Sequence, residues 1–425
     1  MVVDSIRSLK SNSTPGPDFL PSLLFKQFPY HFAIPLKKIF HKSYITGVIP
    51  MQWKIAHVVP IFKNKGKRSD PANYRPISLT CTSCKLFERI MKNYMMKFAL
   101  ANNLISEHQH GFVSRKSTQT HLLESGNFWT YWLGEKEAVD VLYLDISKAF
   151  DTVSHDKLLY KLYKLGFRGC THKWIESFLI ERSQNVKINN TLSSSCKVKS
   201  GVPQGSVLGP LLFLLFINDI VSCVNECSIK IFADDCKLYL CVRKMENYHI
   251  LLRSICSFFT WTDDNQLEIA LQKCFILHLG SFNPNLPYVL KIPYAPIPET
   301  KQIKDLGVLV SDDLKFSDHC LSVSKKAFQR MLLIFRTCLS RDRSFLLATY
   351  KTYVRPLLEY NSPVWSPFLH KDIIMVEKVQ KRFTKRIPGL TNLDYEERLR
   401  ALNLHSLEQR RIVADLTQCY KIVHQ

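Results

Sequence analysis

Phe232-Ala233-Asp234-Asp235, flanked by Ile229-Lys230-Ile231 and Cys236-Lys237-Leu238-Tyr239, decides how the rest of the chain is read. The β-branched and aromatic flanks favour strands and Asp tolerates turn geometry, so a short β-hairpin is predicted whose turn carries both carboxylates. Two acids at one tip repel each other, and a divalent cation between them removes that cost. An exposed acidic turn is the alternative. A third acid elsewhere in the chain separates the two.

That acid is Asp145. It closes the apolar run 138–144, which only Asp140 interrupts, and a carboxylate at the end of a buried strand has to be paired, hydrogen-bonded or metal-bound. Between Asp145 and the acidic hairpin, Ser154 can cap a helix over 155–165, with Leu158, Leu159, Leu162 and Leu165 on one face and Gly166 ending it. An amphipathic helix with Trp174, Ile175, Phe178 and Leu179 follows, then a polar hairpin through Asn189-Asn190. Gly201-Val202-Pro203-Gln204-Gly205 forms a kinked loop whose glycines let backbone approach a flat ligand; a plain structural turn is the other reading. A buried helix from Pro210 then leads into the acidic hairpin.

Upstream, the strand 56–62, the basic run Lys63-Asn64-Lys65-Gly66-Lys67-Arg68 and the strand 74–79 predict a hairpin. Its cationic tip suits a triphosphate, or is simply solvated. A helix over 84–100, the loop Gln109-His110-Gly111-Phe112, and a helix over 118–133 capped by Ser117 or Thr118 come next. Downstream, Lys273 precedes a strand at 275–279, a short hairpin covers 304–310, and the pattern is helical from Ser317. Over 371–387, Ile373, Val376, Val379, Phe383 and Ile387 form an apolar face. Lys378, Lys381, Arg382, Lys385 and Arg386 occupy the rest, as a solvated surface or a nucleic-acid contact.

The chain has 425 residues, 46% of them hydrophobic, enough for a large core and two or three subdomains. A formal net charge of +22 argues against small neutral substrates and for a polyanionic partner, of which nucleic acid is the commonest. Thirteen cysteines without regular spacing point to reduced thiols in the cytoplasm or nucleus. Cys81-Thr82-Ser83-Cys84 is half a zinc site that nothing completes. The first residues lack a secretory leader, and the most apolar stretch, 207–217, is too short to span a bilayer, so no membrane partner is expected.

Strand acid, Gly-rich loop, buried helix and acidic hairpin, in that order, describe the palm of a template-directed polymerase. Five stretches resemble reverse transcriptases of non-LTR retrotransposons of the jockey-like and LINE-like kind. They are Asn73-Tyr74-Arg75-Pro76-Ile77-Ser78-Leu79, Gln109-His110-Gly111-Phe112, Tyr143-Leu144-Asp145-Ile146-Ser147-Lys148-Ala149-Phe150-Asp151, Gly201-Val202-Pro203-Gln204-Gly205-Ser206 and Phe232-Ala233-Asp234-Asp235. The resemblance implies an α+β right-hand polymerase: an N-terminal helical extension over 1–45, fingers and palm over 46–310 built on an antiparallel sheet packed on helices, and a helical thumb over 311–425. It implies RNA-directed DNA synthesis from an RNA template, a DNA primer and deoxynucleoside triphosphates. Asp145, Asp234 and Asp235, with the Ile146 carbonyl, would hold two Mg²⁺ ions about 3.5–4 Å apart. Lys63, Lys65 and Arg75 would grip the triphosphate, Phe150 would exclude a ribose 2′-hydroxyl, Gln204 and Gly205 would contact nucleotide and template, and Lys273 would lie near the pyrophosphate. Lys304 and Gly307 resemble the element that grips the primer end. Such proteins also carry an endonuclease upstream, for which the N-terminal residues leave no room, and no cysteine/histidine knuckle closes the C-terminus. The expectation is therefore a fragment of a longer element protein or a decayed copy, with a catalytically silent nucleic-acid-binding remnant as the rival function. An RNA-templated RNA polymerase is disfavoured by Phe150.

Overall fold

The computed structural model describes residues 1–224, 226–291 and 294–424, and the fold is α+β. The chain forms two compact units that interleave in sequence: Met1–Ser114, Leu144–Leu238 and Ile250–Cys274 make the first, and Arg115–Tyr143, Tyr239–His249 and Phe275–Gln425 the second.

In the first unit, strands β1 (Ile55–Phe62) and β2 (Tyr74–Leu79) pair antiparallel from His57 opposite Leu79 to Phe62 opposite Tyr74, so the basic run forms the hairpin tip as expected. β1 also pairs in parallel with β4 (Ser183–Ile188), but only as far as Val58. Pro60 lies just beyond that pairing, and Pro76 lies on the edge strand β2, the positions where a missing N–H costs the ladder nothing. Two short strands, β5 (Thr191–Leu192) and β6 (Cys196–Lys197), complete this sheet on β4. Apart from this sheet, the chain has a four-stranded sheet of order β7-β8-β3-β9, from β3 (Val139–Asp145), β7 (Ser228–Phe232), β8 (Asp235–Cys241) and β9 (Phe275–Leu279).

The helix Gly209–Ile217 is buried along its length apart from Pro210, as its unbroken apolar sequence requires. The residues read as an N-terminal extension supply helices Val2–Arg7, Ser22–Gln27 and Pro29–Thr46. They share the core of the first unit: Phe40 stacks on Phe87 at 4.8 Å, and the Trp174 indole donates to Ser43 Oγ at 3.0 Å.

Of the two expected caps, Ser117 is the one that caps Thr118–Gly134, accepting from the Thr120 amide at 3.2 Å. Ser154 occupies the N-cap of His155–Lys164, yet its side chain makes no cap bond.

In the second unit, β9 pairs antiparallel with β3 from Val139 opposite Leu279 to Tyr143 opposite Phe275. β12 (Gln302–Asp305) and β13 (Val308–Ser311) form the expected hairpin, and a short hairpin of β10 (Val289–Lys291) and β11 (Tyr294–Pro296) precedes them. From Ser317 the chain is helical, around a core of Met331, Tyr350, Trp365, Val376 and Phe383.

The fully buried strand acid is Asp140, at 1% exposure, and not Asp145. Its carboxylate accepts from the Tyr288 hydroxyl at 2.6 Å and the Asn283 amide at 2.7 Å, and lies 2.7 Å from His278 Nδ1. Three side chains thus supply what water would otherwise give a buried carboxylate. Among the described residues no helix is long and apolar enough to cross a membrane.

Candidate active site

The turn between β7 and β8 consists of Ala233 and Asp234, and Asp235 already opens β8. The tip therefore carries one carboxylate, with the second on the first residue of the returning strand. Ala233 takes a left-handed φ of +58°, which a non-glycine residue adopts only when its surroundings enforce it. The enforcement comes from Gln109-His110-Gly111. His110 N–H donates to the Ile231 carbonyl at 2.8 Å and Ile231 N–H to the His108 carbonyl at 3.0 Å, adding a short parallel segment to β7. The fully buried Gln109 side chain then accepts through Oε1 from Gly111 N–H at 2.7 Å and Ala233 N–H at 3.2 Å. A Cβ on Gly111 would stand 2.4 Å from the Ala233 nitrogen, so only glycine permits this approach. The bracing role of Gln109 is not evident from sequence, because Ala233, the residue it braces, lies 124 residues away.

Asp145 ends β3 half-exposed, with Lys273 Nζ 3.2 Å from Oδ2 and 3.4 Å from Oδ1. The strand-end acid is paired, as expected, and its ion pair lies at a partly solvent-accessible edge. Lys273 is correspondingly not a free solvated lysine. Its short helical turn is fixed against the strand end by Ala270 N–H donating to the Asp145 carbonyl at 2.9 Å, with Ser147 N–H donating to the Glu268 carbonyl at 2.7 Å. The Ile146 carbonyl takes no part in that pairing.

Burial pushes the Asp234 carboxyl above its ordinary 3.8, and the neighbouring Asp145 charge adds to the rise. A hydrogen bond to its own backbone, and then Lys273 and Arg75, oppose it. Asp145, Asp234, Lys273 and Arg75 thus share one electrostatic neighbourhood, whereas Asp235 is exposed beside it. The two carboxyls repel each other, one of them partly desolvated, and Lys273 and Arg75 are the charges that offset the repulsion. Among the described residues no group of three or more His, Cys, Asp and Glu forms a ready cation cage.

Phe150 is half-buried, stacked on Phe213 at 4.2 Å and 21°. Gln204 donates through Nε2 to Asp151 Oδ1 at 3.1 Å, while its backbone carbonyl accepts from Ser78 N–H at 2.6 Å on β2. Burial raises the Asp151 carboxyl, against Gln204, Lys148 and Lys63. Gly205, at φ +108°, lies so close to β2 that a Cβ would meet the Ser78 carbonyl at 2.7 Å. Lys63 is held by its amide to the Asn73 carbonyl at 2.8 Å and by Nζ to the Ala72 carbonyl at 2.9 Å; Lys65 and Arg75 are exposed on the same hairpin.

Residues 62–310, more than half of the chain, match the family model described as reverse transcriptase (RNA-dependent DNA polymerase). The chain belongs to the reverse transcriptase family. Similar proteins include three from Drosophila melanogaster; one is a probable RNA-directed DNA polymerase from transposon BS, at 28% identity over 96% of this chain and 46% of that protein. A probable RNA-directed DNA polymerase from transposon X-element is 29% identical over 91% of this chain and 43% of that protein. The RNA-directed DNA polymerase from mobile element jockey is 28% identical over the same shares. The chain spans less than half the length of these curated relatives, and the resemblance to jockey-like elements holds.

The remaining residues of this reverse transcriptase chain that the motifs singled out lie in the second unit. Lys304 is on β12 and Gly307 in the turn before β13, where a Cβ would stand 2.9 Å from the Tyr360 ring. The Tyr360 hydroxyl donates to the Leu306 carbonyl at 3.0 Å, so the hairpin turn is fixed by a residue of the helical region that sequence did not single out. On the helix His370–Lys385, Val376, Val379 and Phe383 face inward, and Lys378, Lys381, Arg382 and Lys385 are exposed; Arg386 follows at its C-cap. Three of these cations lie over aromatic rings: Lys381 over Tyr395 at 4.9 Å, Arg382 over Phe328 at 5.1 Å and Arg386 over Phe335 at 5.6 Å. Each of the three thus has an aromatic face beside its charge as well as solvent.

Proposed function

We propose that this chain is the polymerase portion of a mobile-element protein and copies RNA into DNA by template-directed nucleotidyl transfer. The observation that carries the reading is the repelling pair Asp145 and Asp234, balanced by Lys273 and Arg75. In the reaction a primer 3′-oxygen attacks the α-phosphorus of a deoxynucleoside triphosphate, and the bond to pyrophosphate breaks. Magnesium held by Asp145 and Asp234, with Asp235 and the Ile146 carbonyl beside them, would acidify the attacking hydroxyl and neutralise the triphosphate. The exposed Arg75 guanidinium binds phosphate oxygens in bidentate fashion, with Lys63 and Lys65 on the same hairpin adding charge. Lys273, paired with Asp145, would lie near a departing pyrophosphate. The reduced cysteine set, all thirteen free, suits a nuclear or cytoplasmic protein.

Extension of oligo(dT) on poly(rA), with and without Mg²⁺, tests the reading. Metal-dependent products are expected; tight primer–template binding with no extension would establish the silent remnant instead.

Sugar selection is proposed to rest on Phe150. Phe150→Val is expected to raise ribonucleotide use relative to deoxynucleotide use while Mg²⁺ dependence stays fixed. If Phe150 serves only to pack on Phe213, the ratio of specificity constants will hold while activity and melting temperature fall together.

The exposed cations of the helix His370–Lys385 and its C-cap suit a phosphate backbone. Replacing Lys381, Arg382, Lys385 and Arg386 with Gln should flatten the plot of log affinity against log salt by about 0.7–0.9 for each phosphate that is no longer neutralised. An unchanged slope removes this helix from the interface.

A further inference from the structure

We infer that Phe112 is a positioning residue for sugar discrimination: its ring fixes the edge of Phe150 and so sharpens rejection of ribonucleotides. The inference rests on the polymerase reading and deepens it.

Three observations meet at this residue. The contact of Gly111 with the Ala233 backbone sets the next residue, Phe112, beside the turn that carries Asp234. Phe112 has φ +59°, a left-handed conformation disfavoured for a bulky side chain. Its ring is 48% exposed, so burial does not offset that strain as it would for a core aromatic. What the ring does contact is Phe150, edge to face at 6.3 Å and 83°. Phe213, fully buried, stacks on Phe150 at 4.2 Å. Phe150 is therefore held from two sides: by a core ring that supports it, and by a strained, exposed ring that nothing in core packing demands. Strain kept at a reactive centre is most simply explained by what it positions. An aromatic ring can exclude one hydroxyl group only if it is prevented from swinging aside, and the edge contact from Phe112 supplies that restraint.

The test measures the ratio of specificity constants, ribonucleotide over deoxynucleotide, for wild type, Phe112→Gly, Phe112→Leu, Phe150→Val and the Phe112→Gly/Phe150→Val double variant, with a melting curve for each. Glycine accepts the left-handed backbone, so Phe112→Gly removes the ring without asking the chain to refold. The ratio should rise roughly twofold to tenfold in Phe112→Gly, the range an aromatic edge contact is worth. Phe112→Leu should fall between wild type and Phe112→Gly. In the Phe150→Val background, loss of Phe112 should add nothing, because the ring it restrains is gone. An unmoved ratio in Phe112→Gly, or the same rise in both backgrounds, overturns the inference and leaves the polymerase reading intact. A wild-type chain that extends no primer overturns that reading and this inference with it.

Discussion

Asp145→Asn and Asp234→Asn should each lower primer extension roughly a thousandfold or more while leaving primer–template binding nearly unchanged, because each removes a full negative charge where the metal and the developing transition-state charge are to be balanced. Stability should move the other way. Asp234 is protonated more readily in the folded chain than in the unfolded one, first through burial and then through the Asp145 charge. A carboxyl raised on folding contributes stability that is fully present below its unfolded value, near 3.8, and is lost as pH rises through the folded value. At neutral pH the ionised group is therefore a net cost, and Asp234→Asn should melt above wild type without divalent ions. Added Mg²⁺ should reverse the order by raising the wild-type melting temperature and not that of the variant. Near-normal extension by Asp234→Asn would sink the metal assignment. A variant that melts lower than wild type at neutral pH, without metal, would show that Asp234 is not held against repulsion.

The parts of this site that could be read from sequence are those carried by local pattern. Residues 138–145 and 228–241 have strand composition and end or turn at acids, and Gly201-Val202-Pro203-Gln204-Gly205 announces a kink, so the order of elements and the acids at their ends were legible. What escaped was the set of buried polar side chains whose partners lie far along the chain. Asp140 looks like a flaw in an apolar strand until Tyr288, 148 residues away, is seen to donate to it. Gln109 reads as a loop residue until it meets Ala233, 124 residues away. The resemblance places Lys273 at the site, but its ion pair with Asp145 depends on a chain crossing that no local pattern encodes. Periodicity reports which face is buried, and says nothing about which polar group on that face is satisfied, or by what.

Glu88 is another such residue, and Glu88→Leu should cost about 2–6 kcal/mol, roughly 1–3 for each of the two backbone amides it leaves without an acceptor. It sits in the helix Thr82–Ala101 with no solvent exposure. Its Oε2 accepts from Val207 N–H at 2.7 Å and Leu208 N–H at 3.0 Å, at the entry of the buried helix Gly209–Ile217, where a negative charge also complements the positive end of the helix dipole. Arg182, buried at 2% exposure, lies within reach of the same charge and gives one donor to the Phe178 carbonyl at 3.0 Å. Leucine fills the volume but leaves the Val207 and Leu208 amides without their acceptor. Glu88→Gln keeps an acceptor for the amides and loses only the charge, so it should fall between the two. The amides that Glu88 holds follow Gln204 and Gly205 by two to four residues. At a temperature where Glu88→Gln is folded, the variant should therefore bind the incoming nucleotide less well, seen as a raised KM, with kcat less affected. Denaturant melts of both variants, read beside nucleotide titrations of Glu88→Gln, decide the matter. A loss under about 1 kcal/mol in Glu88→Leu would mean that the two amides find other acceptors. A normal KM in Glu88→Gln would confine this carboxylate to holding the fold.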